Sequence, residues 1–177
     1  MSSEITIRRA DAGDARLISM LATVTFFEAY FEQDDPPDLA NYLAETFAAD
    51  KIADELSDPE TFFFIVHRGG PAIGYAKLRD KEAHPSVTPR NAIELQRIYC
   101  VERVWGTGVG EELLGHCIEF ARSYGKYVLW LGVWEENPRA IRFYEKHGFT
   151  RVGTLEFPYG STVGINAVMQ LEINNAR

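Results

Sequence analysis

Val104-Trp105-Gly106-Thr107-Gly108-Val109-Gly110-Glu111-Glu112-Leu113-Leu114 decides how this chain is read, together with Asn137-Pro138-Arg139-Ala140-Ile141-Arg142-Phe143-Tyr144-Glu145-Lys146-His147-Gly148-Phe149. The first stretch follows an apolar, strand-like run and opens a helix. Glycines at such a corner let backbone N–H groups come close to an anion, and the helix N-terminus adds partial positive charge. No Gly-Lys-Ser/Thr follows, so this is not a P-loop. Gly106-Thr107-Gly108 also lacks the third glycine of the dinucleotide fingerprint. From the glycines alone, a tight β–α corner without a ligand is an equally open reading. The second stretch is a helix marked at both ends, with Asn137 as N-cap, Pro138 at the first helical position and Gly148 as stop. Tyr144 lies two turns beyond the cap. It reads either as a core aromatic or as a phenol facing a thiolate leaving group. The two groups titrate near about 10 and about 8.5, close enough for proton exchange between them.

Working outward, 177 residues favour one domain, 1–177, and 46% hydrophobic residues suffice for a sizeable core. No apolar run approaches the roughly 20 residues of a membrane span, and the N-terminus lacks the apolar stretch of a signal peptide. Cys100 and Cys117 sit apart in apolar patterns. They read as free thiols in a reducing compartment, which implies a cytoplasmic protein. The net charge of −8 is uneven: residues 1–60 hold 14 acidic and 4 basic side chains. That imbalance argues against nucleic acid and anionic membrane as partners and suits a cationic ligand, if it is more than a solvated face. His67, His84, His116 and His147 show no ligand spacing, so no metal site is expected.

The periodicity predicts an edge strand at Ile5–Arg9, then a helix capped by Asp11 and running to about Phe31, its apolar stripe being Leu17, Met20, Leu21, Val24 and Phe27. A second helix carries Leu39, Leu43 and Phe47, and a short third spans about Lys51–Ser57. Thr61–His67 and Ala72–Arg79 read as a hairpin around Arg68-Gly69-Gly70-Pro71, and Asp80–Arg90 as a loop. Ile93–Val101 is a strand. Gly108–Tyr124 is a helix with Val109, Leu113, Cys117, Ala121 and Tyr124 inward. Val128–Trp134 is a buried strand, and strands at about Phe149–Phe157 and Val163–Ile173 end the chain. The main order, β-α-α-β-β-β-α-β-α-β-β, is that of an α/β sheet of mixed direction with helices on both faces.

Taken jointly, the two opening motifs resemble the GNAT superfamily of N-acetyltransferases. Its pattern is Arg/Gln-x-x-Gly-x-Gly/Ala followed by a strand and an Asn-x-x-Ala-x-x-Phe-Tyr helix. Gly108-Val109-Gly110, Asn137, Ala140, Phe143 and Tyr144 fit, and the element order fits from residue 5 onward. Trp105 departs, standing where the family has Arg or Gln. The resemblance implies a single α/β domain whose mixed, mostly antiparallel sheet of about seven strands splays between strands 4 and 5. Four further stretches resemble bacterial spermidine/spermine acetyltransferases of the PaiA type: Thr25-Phe-Phe-Glu-Ala-Tyr-Phe, Phe62-Phe-Phe-Ile-Val, Glu94-Leu-Gln-Arg-Ile-Tyr and Trp130-Leu-Gly-Val-Trp-Glu. That implies a polyamine or similar small amine as acceptor, with the acidic first helices as its wall.

The resemblance also implies roles. Acetyl-CoA is the cosubstrate. Its pantetheine arm would pair with Ile98, Tyr99, Cys100 and Val101, one of whose N–H groups would hold the oxyanion. Its pyrophosphate would rest on the amides of Gly106, Thr107, Gly108, Val109, Gly110 and Glu111, and Asn137 and Tyr144 would contact the arm. Glu94 is the candidate base and Tyr144 the candidate acid, acting by direct transfer in a ternary complex. Glu28, Glu32, Asp34 and Asp35 are candidate acceptor contacts, and Tyr30 and Tyr159 could offer ring faces to an ammonium group. Alternatives stay open: a protein N-terminus or lysine as acceptor, or a non-catalytic acyl-CoA-binding regulatory module. Homodimers are common in the superfamily, and nothing in the sequence fixes the oligomeric state.

Overall fold

The computed structural model describes residues 4–173. Its seven strands are β1 (Ile5–Arg9), β2 (Thr61–Arg68), β3 (Ala72–Arg79), β4 (Ala92–Cys100), β5 (Val128–Trp134), β6 (Thr150–Tyr159) and β7 (Thr162–Glu172). The helices are α1 (Ala15–Tyr30), α2 (Pro36–Thr46), α3 (Ala49–Ser57), α4 (Val109–Ser123) and α5 (Pro138–Lys146). The strands form one sheet in the order β1-β2-β3-β4-β5-β7-β6. β4 and β5 run parallel, whereas the β1–β2, β5–β7 and β6–β7 pairs are antiparallel. The expected mixed α/β sheet of seven strands is therefore present, and each expected strand lies within two residues of its predicted bounds. The chain forms two compact units. One closes with Leu78 and takes in Arg97–Cys117; the other comprises Arg79–Gln96 and the chain from Ile118 onward.

In the first unit, β1 is short and exposed, and it pairs from Ile5↔Arg68 to Arg9↔Phe64. Asp11 starts the helical region: its Oδ1 accepts the Gly13 amide at 2.8 Å, and Asp14 Oδ2 accepts the Asp11 amide at 2.9 Å. The stripe α1 buries differs from the expected one. Ile18, Leu21, Ala22, Thr25 and Phe26 face inward, while Met20, Val24 and Phe27 are 53%, 42% and 48% exposed. The helix is apolar around most of its circumference, so periodicity left two stripes to choose from. The inward one carries small residues that permit close approach, and Thr25 satisfies its hydroxyl on the Leu21 carbonyl at 2.7 Å. Phe26 centres an aromatic cluster with Tyr30, Tyr42, Phe47 and Tyr99, at centroid distances of 4.5 to 6.0 Å. Beside it Glu55 takes two cations, Lys77 at 2.8 Å and Arg97 at 3.3 Å. Lys77 is nearly fully buried and also lies over the Phe63 ring at 5.6 Å, so Glu55 helps to neutralise a charge held away from water.

In the second unit, β5 pairs with β7 along its whole length, from Val128↔Glu172 to Trp134↔Asn166. The loop between β3 and β4 is tied down through its backbone: Gln170 accepts the Thr88 amide at 3.0 Å and donates to the Thr88 carbonyl at 2.7 Å. Lys126 adds an ion pair to Asp80 at 2.6 Å. Ala83 and Val87 from this loop pack with Ala92, Val128, Trp130 and Val168. α4 contributes its residues up to Cys117 to the first unit and the rest to the second; Val109, Leu113, Cys117 and Ala121 are buried as expected, but Tyr124 is 42% exposed. It lies one residue past the helix end, where its ring stacks on Phe120 instead.

Candidate active site

In the first unit the site begins at the end of β4. The β4–β5 ladder runs only from Ala92↔Val128 to Glu94↔Trp130. Burial changes almost in step: Ala92–Leu95 are buried, and Gln96–Cys100 are half-buried. Ile98, Tyr99 and Cys100 thus lie beyond the ladder. The Val101 amide donates to the Ile73 carbonyl at 2.9 Å, toward β3. Backbone groups alternate sides along a strand, so the Cys100 amide faces the opposite edge. The approach of β3 to β4 depends on Gly74, where a Cβ would lie 2.5 Å from the Tyr99 carbonyl oxygen and 2.7 Å from Cys100 Sγ. Burial, helped by the Glu111 charge, pushes the Cys100 thiol up to about 12. At neutral pH it is a packed thiol and not a thiolate nucleophile.

The glycine corner follows. Trp105 turns inward and its indole Nε1 donates to the Cys100 carbonyl at 2.8 Å, locking the corner to the strand end. Gly106 and Gly108 take φ of +72° and +90°, where a side chain would be strained, and a Cβ on either would meet nothing within 4 Å. The space outside these residues is therefore open. The first helical bond of α4 is Glu112 N–H to the Gly108 carbonyl, at 3.1 Å. The amides of Val109, Gly110 and Glu111 belong to the first turn of α4, the part of a helix whose N–H groups its own ladder does not serve. Val109 itself is fully buried and fixes the helix start. Thr107 Oγ1 donates to the Val104 carbonyl at 2.7 Å. A glycine corner with an open flank at a helix start fits a pyrophosphate.

At the far end of α1 sit the candidate acceptor residues. Glu28 does something the sequence did not reveal: its Oε2 accepts the Glu102 amide at 2.7 Å, linking α1 to the segment before the glycines. Asp35 caps α2 by accepting the Asp38 amide at 3.2 Å. Glu32 is exposed, Asp34 half-buried, and Tyr30 lies against Phe26.

In the second unit, Glu94 is buried on β4 and its Oε2 accepts from Arg79 Nε. Asn137 Oδ1 accepts the Ala140 amide at 3.1 Å, and Pro138 follows at the first position of α5, as expected. Tyr144 is buried on that helix, its ring edge-on to Phe143 and Phe149 at centroid distances of 5.3 and 5.5 Å. Tyr159 ends β6, opposite Thr162. Sequence reasoning missed Arg79 as the partner of Glu94, because the two lie on different strands.

The model of the acetyltransferase (GNAT) family matches residues 23–149. The chain belongs to this family. The "uncharacterized N-acetyltransferase in pepI 3′ region" of Lactobacillus delbrueckii subsp. lactis is 35% identical over 136 residues, covering 77% of this chain and 79% of that protein. Two shorter likenesses are to enzymes named for different acceptors. The N-alpha-acetyltransferase RimI of Mycobacterium tuberculosis is 31% identical over 56% of this chain and 58% of its own length. The spermine/spermidine N(1)-acetyltransferase of Bacillus subtilis is 29% identical over 50% of this chain and 59% of its own length. In fold, the chain resembles the PaiA N-acetyltransferase of Thermoplasma acidophilum, a structure in complex with coenzyme A. That likeness has a TM-score of 0.78 at 20% identity, over 96% of this chain and 99% of the other. As a GNAT protein this chain is an N-acetyltransferase. Among the described residues no group of His, Cys, Asp and Glu could hold a metal ion, and no helix is long and apolar enough to cross a membrane.

Proposed function

We propose that this GNAT enzyme transfers the acetyl group of acetyl-CoA to a primary amine of a polyamine or a similar small cation, directly and in a ternary complex. The observation that carries the acceptor class is the run of carboxylates where α1 ends and α2 begins: Glu32, Asp34 and Asp35 fall within four residues. A polycation meets several of them at once, and the attraction adds through a shared field. Tyr30 and Tyr159 would supply ring faces for ammonium groups. The short likeness to the Bacillus enzyme supports this reading.

For the chemistry, the amides of Gly106 and of Gly108–Glu111 would bind the pyrophosphate, that of Thr107 being engaged by the Val104 carbonyl at 3.3 Å. The strand end from Ile98 to Val101 would pair with the pantetheine arm. The Val101 amide is engaged with Ile73, which favours Ile98 or Cys100 as the oxyanion donor. Asn137 would position the arm. Glu94, oriented by Arg79, would take the amine proton through Oε1, and Tyr144 would protonate the departing thiolate. The high-lying thiol of Cys100 supports direct transfer over an acyl-enzyme.

The test is thiol release from acetyl-CoA against a panel of amines, spermidine and spermine included, with peptide N-termini alongside. Release that favours polyamines is expected. Release with peptide N-termini alone would replace the acceptor, in line with the RimI likeness. Tight acetyl-CoA binding with no release from any amine or peptide would replace catalysis with a regulatory, acyl-CoA-binding role.

A further inference from the structure

The glycine corner has a charge problem. The segment 102–112 carries Glu102, Glu111 and Glu112 against one cation, Arg103, and two of those glutamates lie in the first turn of α4. Backbone amides alone would have to hold a doubly charged pyrophosphate against that local field. The indole at Trp105 brings no charge, and its N–H is spent on Cys100. A cation reaches the corner from elsewhere in the same unit. Arg68, the last residue of β2, donates from Nη2 to Thr107 Oγ1 at 3.2 Å, across 39 residues of sequence.

The contact is built from both sides. The Thr107 hydroxyl donates its proton to the Val104 carbonyl at 2.7 Å, so its lone pairs are turned to the guanidinium. The backbone of Arg68 is held at the hairpin, with its amide on the Pro71 carbonyl at 3.0 Å and the next amide, Gly69, on the Glu4 carbonyl at 3.2 Å. A guanidinium has five N–H donors in a planar fork that matches phosphate oxygens, and Thr107 takes one of them.

We propose that Arg68 is the phosphate-binding cation of this site, contacting the pyrophosphate of acetyl-CoA from the β2–β3 hairpin while Thr107 aims it. The proposal rests on the acetyl-CoA reading above. Arg68 is then a cosubstrate-binding residue that no local motif reveals, since it lies in a hairpin turn far from the glycines.

The experiment compares ligands that differ in their phosphates. Dissociation constants for CoA and dephospho-CoA are measured by calorimetry on wild type, Arg68→Ala and Arg68→Lys. kcat/KM is measured in parallel with acetyl-pantetheine, which has no phosphate. Loss of a charge-assisted contact predicts that Arg68→Ala weakens CoA and dephospho-CoA alike, by about 10- to 100-fold. Acetyl-pantetheine should be used within about twofold of wild type, and Arg68→Lys should recover part of the loss because it keeps the charge without the fork. Unchanged CoA affinity in Arg68→Ala, with wild type binding normally, overturns the proposal and leaves the enzyme class intact. An equal loss with acetyl-pantetheine overturns it in favour of a structural role. Loss confined to CoA moves Arg68 to the ribose phosphate and overturns the pyrophosphate assignment. Failure of wild type to bind CoA overturns the acetyl-CoA reading itself.

Discussion

α4 and α5 both start just beyond a strand, and they treat their first amides in opposite ways. α5 closes its own start: Asn137 Oδ1 takes the Ala140 amide, and Pro138 removes a donor that would otherwise need a partner. α4 starts from Gly108, which has no side chain to offer and whose carbonyl accepts the Glu112 amide. One start is finished by a side chain of its own sequence; the other has a glycine there and an open flank. A glycine in place of an N-cap thus costs helix stability and, in the proposed function, serves a ligand; the two starts can be broken separately.

The largest expected effect lies beyond the closed start. Tyr144→Phe should lower kcat about 100- to 1000-fold if the phenol is the general acid, with CoA affinity within about twofold by calorimetry. A Tyr144 that only packs against Phe143 and Phe149 would leave kcat unchanged. Next, Gly108→Ala should raise the CoA dissociation constant about 5- to 30-fold. The φ of +90° at residue 108 disfavours a side chain by about 1–2 kcal/mol, so the corner relaxes to another shape. Asn137→Ala should reverse the emphasis. Loss of the cap predicts about 1 kcal/mol of destabilisation, read as a lower urea midpoint.

A third start gives the smallest effect and a pH signature. The Arg8 guanidinium beside Asp14 holds its carboxyl down at about 2, and the Asp11 amide adds to the same pull. A carboxyl lowered on folding stabilises the fold above its ordinary range, near about 4, and that contribution fades as pH falls toward its folded value. Asp14→Asn should therefore cost up to about 1 kcal/mol near neutral pH. Denaturant titrations of variant and wild type should converge as the pH is taken from about 4 down to about 2.

What was legible in the sequence is what is encoded within a few residues. The hairpin at Arg68–Pro71, the glycine corner, the Asn137 cap and the buried face of α4 up to Ala121 all follow from local spacing. The inward face of α1 did not, because its apolar residues run nearly all round and only tertiary approach favours Ala22 and Thr25 over Met20 and Phe27. The partners within the site were hidden for a related reason. Arg79 to Glu94 spans 15 residues, Arg68 to Thr107 spans 39, and Glu28 to Glu102 spans 74. Such pairs are set by sheet order, and no single stretch announces them. The acidic excess near the N-terminus was visible as a total, yet Asp11, Asp14 and Asp35 spend part of it as helix caps.

The bond from Glu28 to the Glu102 amide bears on how this enzyme can be dissected by mutagenesis. A charge-removal scan along the end of α1 will count Glu28 among the residues that sense the amine. Yet removing that carboxylate also releases the segment leading into the glycine corner, so affinity for the other substrate should shift with it. At position 28 a kinetic defect therefore belongs to both substrates at once. Under the proposed function, Glu32 and Asp34 would be the sounder reporters of acceptor choice.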